Sequence, residues 1–92
     1  MVETGDGSLK LVVMRGDARA AEAALRAMVG AEEVRAMGDG AWVVYAAAEA
    51  AEVRDLVAGV AGDGAVVFVV EFERWSGFGD EVDRAWLLRR GH

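Results

Sequence analysis

Residues 33–45, Glu33-Val34-Arg35-Ala36-Met37-Gly38-Asp39-Gly40-Ala41-Trp42-Val43-Val44-Tyr45, read as two strands folded about a tight turn. The first limb alternates weakly, Gly38-Asp39-Gly40 supplies residues that tolerate positive φ, and the second limb is a β-branched and aromatic run. A β-hairpin in the middle of the chain follows. What flanks it decides the fold, because a hairpin between two helices builds a different sheet from a plain alternation of strands and helices.

Upstream, Ala21, Ala24, Leu25 and Met28 recur at helical spacing, with Asp17 placed to accept free N–H groups at the start and Gly30 to stop the helix. Before Gly16, the short apolar run over residues 9–14 predicts a buried strand. Downstream, Val53, Leu56, Val57 and Val60 mark a second helix that ends at Gly62-Asp63-Gly64, and residues 65–73 form the most apolar strand. Strand, helix, strand, strand, helix, strand is the order of an α+β, ferredoxin-like βαββαβ domain. Its sheet is four-stranded and antiparallel, with both helices on one face. The domain is expected over residues 9–73. Residues 1–8 show no apolar period and are expected as a disordered N-terminus. Residues 74–92 add a Gly-containing aromatic loop and a C-terminal helix, with Asp80, Glu81 and Asp83 near its positive end and Arg89 and Arg90 near its negative end.

Ninety-two residues suffice for one domain and no more. A chain this short buries only about 60–65 per cent of its unfolded surface, so it needs an efficient core or a partner subunit. There is no cysteine, which excludes disulfides, thiolate metal sites and cysteine hydrolases. The net charge of -6 repels phosphate backbones and anionic membranes, so nucleic acid is a disfavoured partner. No apolar run is long enough to span a bilayer, and Met1-Val2-Glu3 does not open a signal peptide; a cytoplasmic protein is the expectation.

Strand alternation exposes a surplus of apolar surface. Leu9, Leu11 and Val13 oppose Val12 and Met14, Trp42 and Val44 oppose Val43 and Tyr45, and Val66, Phe68, Val70 and Phe72 oppose Val67, Val69, Glu71 and Glu73. Two helices cover one face only. The other is expected to meet the C-terminal helix, a second subunit, or both, and homodimerisation is the preferred reading. The residues expected at the interface are Trp75, Phe78, Val82, Trp86 and Leu87 of the C-terminal segment, with Val43, Tyr45, Val67 and Val69 of the sheet.

Several stretches resemble the small ferredoxin-like proteins related to the second CRISPR-associated protein, in particular their SinR-like relatives. These are Ala41-Trp42-Val43-Val44-Tyr45, Ala51-Glu52-Val53-Arg54-Asp55-Leu56, Gly62-Asp63-Gly64 with Val66-Val67-Phe68-Val69-Val70-Glu71 after it, and Trp75-Ser76-Gly77-Phe78. The resemblance implies a homodimer, either a scaffold in a defence or toxin-antitoxin system or a metal-dependent nuclease using Mg²⁺ or Mn²⁺. For the nuclease it implies an aspartate from each subunit at the end of the first strand. Asp17 is the only residue here that fits that role, and a helix N-cap is its simpler reading.

Glu71 and Glu73, two apart on a strand, share a side and are the other candidate ligands for a hard cation; as a plain structural feature they are an acidic strand end that resists edge pairing. His92 is terminal, so no imidazole is placed for base catalysis, and Ser8 and Ser76 lack a base. Gly38-Asp39-Gly40 and Gly62-Asp63-Gly64 lack the continuation of a phosphate loop and read as turns. Trp75 and Phe78 suit an interface better than base stacking. No cofactor is expected. Three functional classes remain, in order of preference: a non-catalytic dimeric interaction or scaffold module, a metal-dependent endonuclease, and a ligand-sensing regulator.

Overall fold

A computed structural model describes residues 7–91. Strand β1 (Ser8–Arg15) leads to helix α1 (Ala18–Val29), a 3₁₀ turn (Ala31–Glu33), the hairpin β2 (Val34–Ala36) and β3 (Ala41–Ala46), helix α2 (Ala50–Ala61), strand β4 (Val66–Phe72) and helix α3 (Arg84–Gly91). The four strands form one sheet in the order β2-β3-β1-β4, with every neighbouring pair antiparallel. Each helix therefore carries the chain across one intervening strand, α1 over β3 and α2 over β1. This is the split βαβ arrangement expected of a ferredoxin-like domain.

Local chemistry sets the junctions. The Asp17 carboxylate accepts the Ala20 N–H at 3.0 Å and opens α1, which buries Ala21 and Leu25 and closes where Gly30 donates to the Arg26 carbonyl. At the start of α2, Glu52 reaches back to accept the Glu49 N–H at 2.8 Å, half of a capping box. The hairpin turn needs glycine at Gly40, where φ is 72° and the Met14 carbonyl lies against the position a Cβ would take. Met14 N–H donates to the Gly40 carbonyl at 2.8 Å, tying the turn to β1.

Several boundaries differ from expectation. Ser8 already pairs with Ala46, so order starts before Leu9; residues 1–6 and His92 lie outside the described residues. Glu33 belongs to the 3₁₀ turn, leaving β2 only three residues. Helix α3 starts at Arg84, not in the acidic run, because a turn at Gly79 (φ 116°) holds Val82 N–H to its carbonyl, and the Asp83 carboxylate then accepts Trp86 N–H at 3.1 Å to begin the helix.

Side chains divide into two cores, one on each side of the sheet. Val12, Met14, Trp42 and Val44 pack under Ala21 and Leu25 of α1 and Val53 and Val57 of α2. On the other side Leu9 and Val43 pack under Trp86 and Leu87 of α3, with Leu11, Tyr45, Phe72 and Trp75 around them. The C-terminal helix thus covers its own sheet. Val67 and Val69, grouped with Val43 and Tyr45 in the expected interface, lie on the opposite face of the sheet, partly buried against the helix-side core. The reason is register: Val12 stands opposite both Trp42 and Val69, which puts Val69 on the face of Trp42 and not that of Val43.

Candidate functional site

The second face of the sheet is half covered. Trp86 anchors the cover: its indole N–H donates to the Glu32 carbonyl at 2.7 Å, and the guanidinium carbons of Arg35 and Arg90 lie 5.4 and 4.6 Å from its ring centre. Arg90 in turn pairs with Glu33 at 2.6 Å and Arg35 with Asp83 at 3.2 Å. The Trp86 backbone N–H, with Arg35 behind it, holds the Asp83 carboxyl below its ordinary range. Of the residues expected at an interface, Trp86, Leu87 and Val43 pack against one another inside the chain, the C-terminal helix covering its own sheet. Their apolar area meets a closer receptor, since a helix that begins twelve residues after the end of β4 reaches its own sheet without the entropy cost of association.

Toward β4 the cover stops. Val13 stands opposite Phe68, and Val66 lies two residues before Phe68 on the same face of β4; the three are 42, 60 and 54 per cent exposed. They form one apolar patch at the edge of the sheet. Between the patch and α3 runs an apolar cleft of about 290 Å³ lined by Leu11, Val70, Phe72, Trp75, Val82 and Leu87 among others. Phe78 stands at 96 per cent exposure between Gly77 and Gly79, while Trp75 and Val82 from the same segment are packed down. Tyr45 is half-buried, with its ring against the backbone of Gly7.

The acidic candidates do not converge. Asp17 follows the C-terminal end of β1 and is spent on capping α1. Glu71 pairs with Lys10 near the other end of β1, and the five steps from Lys10 to Arg15 span roughly 17 Å at about 3.3 Å per residue. Glu73 lies past the end of β4, which stops at Phe72, so it does not share the strand's alternation with Glu71. Among the described residues no three His, Cys, Asp or Glu side chains gather as a cation would need. No helix is long and apolar enough to cross a membrane.

One charged residue escaped the sequence reading. Lys10 sits on the helix side of β1 and is buried, its ammonium donating to the Ala46 carbonyl at 2.6 Å and to Ser8 Oγ at 2.7 Å. Burial lowers its pKa from the ordinary 10.5, against the opposing pull of Glu71, Glu49 and Glu52. The signal was a lone lysine in an alternation slot shared with Val12 and Met14. A second, open concavity between α1 and the hairpin is lined by Arg19, Glu22, Arg26, Asp39 and Trp42. Its Glu22 is occupied by Trp42 Nε1 at 2.9 Å and Arg26 at 3.0 Å, and these two contacts pull its pKa down.

No family model matches the chain, and neither do any curated protein and any solved structure.

Proposed function

We propose that the chain is a non-catalytic interaction module that works as a homodimer, of the kind the CRISPR-adaptation and SinR-like resemblance implies. The observation that carries this reading is the contiguous patch of Val13, Val66 and Phe68 on the half of the sheet that α3 leaves open. Apolar side chains scattered singly on a surface need no explanation, but three adjoining ones beside an apolar cleft mark a surface that is covered in use. The position of Asp17 as a cap, remote from Glu71, supports binding over metal-dependent chemistry.

Light scattering after size exclusion tests the proposal. A mass of two chains at micromolar loading is expected, and a concentration-independent mass of one chain sinks it. Incubation with RNA or DNA and Mg²⁺ or Mn²⁺ should leave the nucleic acid intact. Cleavage that disappears in a folded Asp17→Ala variant would transfer the assignment to the nuclease class.

A further inference from the structure

The outer edge of β4 is the second unfilled feature, and its backbone can be read group by group. Met14 N–H points to β3, where it meets Gly40. Backbone groups alternate in direction along a strand, so Leu9, Leu11, Val13 and Arg15 direct theirs to β4 and pair there with Phe72, Val70, Phe68 and Val66. The same parity holds on the far side of the sheet, where Met37 N–H donates to Ala41. It follows that Val67, Val69 and Glu71 turn their N–H and C=O groups outward. Among the described residues no strand pairs with that edge.

Protein edges are usually blunted by shortness, proline, a bulge or charge. This one spans seven residues, its register with β1 is unbroken from Val66 to Phe72, it has no proline, and Val66 to Val70 carry no charge. The exposed side chains beside it are those of the apolar patch. An edge and a face that are both open at the same strand need one cover that serves both.

We propose that β4 pairs antiparallel with β4 of a second copy, about a two-fold axis at Val69, giving a continuous eight-stranded sheet with the α1 and α2 helices of both copies on one side and both α3 helices on the other. The inference rests on the homodimer reading and names its contact. Val69 is the midpoint of β4. In this register Val67 faces Glu71 of the second copy, Val69 faces Val69, and all the outward groups exchange hydrogen bonds. On the open face Phe68 meets Val70 and Val66 meets Phe72, so the patch is extended by apolar neighbours instead of water. The two Glu71 carboxylates lie four residues apart along the ladder, about 13 Å, beyond the reach of strong repulsion in physiological salt. Slipping the register toward Glu71 brings them together, which selects against that slip. A second copy is the occupant because the strand matches itself: apolar opposes apolar and the single acid is kept from its twin.

Three variants of the full chain test the register, each followed by a dilution series in light scattering and by circular dichroism. Val69→Pro removes an outward N–H that β1 does not use, a place where an edge strand tolerates proline, and should weaken the dimer about 100-fold with the fold retained. Val67→Lys places a cation opposite Glu71 of the second copy, and Val67→Glu places an anion there. Both lose similar packing, so the dissociation constant should be about tenfold or more lower for Val67→Lys than for Val67→Glu. The charge pair decides the matter should the proline variant not fold. A dimer that Val69→Pro leaves intact, or that treats the two charges alike, overturns the β4 contact while the homodimer stands. A wild-type monomer overturns both, and assemblies larger than two overturn the two-fold contact, which closes on itself.

Discussion

Replacing Trp86 by alanine removes the largest side chain of the α3 contact. It is buried against Leu9 and Val43, it donates to the Glu32 carbonyl, and it is flanked by two guanidinium groups. Truncating a buried tryptophan costs about 3–5 kcal/mol, and leaving the Glu32 carbonyl without its donor places this site in the upper part of that range, about 4 kcal/mol. A domain of this length has about 5–14 kcal/mol in all, at 0.05–0.15 kcal/mol per residue. The variant should therefore fold, with a melting temperature lower by about 15–30 °C, given about 4–8 °C per kcal/mol for a domain of this size. Trp86→Phe keeps a ring between Arg35 and Arg90 and loses the hydrogen bond and some area, and should cost about 1–2 kcal/mol. Scanning calorimetry measures the shift. Amide exchange locates it, since protection should fall first at Leu9, Leu11 and Val43 beneath α3 and last at Val12 and Val44 on the helix side. A melting temperature within about 3 °C of wild type in Trp86→Ala would mean that α3 is not part of the cooperative core.

Gly40→Ala should destabilise by more than about 2 kcal/mol, since it combines a positive φ with a collision against the Met14 backbone carbonyl. Gly64→Ala, at φ 76° with open space around it, should cost only about 1 kcal/mol, and urea melts of the pair separate strain from clash. On the acid side, Trp42 N–H and Arg26 hold the Glu22 pKa below its ordinary 4.5, so between the two values the unfolded chain binds more protons. Stability from Glu22 is complete above pH 4.5 and is lost as pH falls through the native value. Glu22→Gln keeps an oxygen for Trp42 and does not titrate. The stability of wild type relative to this variant should therefore shrink below pH 4.5 in urea melts, and a constant difference down to pH 2 would contradict the assignment.

Local events are legible in the order of the residues. Alternation marked the strands, the Ala21-Leu25-Met28 spacing marked α1, Asp17 and Gly30 marked its ends, and Gly38-Asp39-Gly40 marked the hairpin. Each of these depends on residues within a turn or two of one another, and backbone sterics, capping and side-chain period act over that range. The element order then limits the sheet topology to very few choices, which is why the ferredoxin-like layout is legible in the sequence. Tertiary structure decided which faces coincide. Alternation separates the two faces of β4 but does not say which of them Val43 shares, because the parity linking β4 to β3 passes through the register of both with β1; that register puts Val67 and Val69 opposite to Val43. The candidate site shared this fate: Asp17, Glu71 and Glu73 are near in type and far apart in the fold, while Lys10 found acceptors at Ala46 and Ser8 that its neighbours do not announce. The receptor of Trp86 was likewise decided by packing. Its indole needed both an apolar bed and an acceptor, and Leu9, Val43 and the Glu32 carbonyl, all remote in the chain, supply them together only once the sheet has formed.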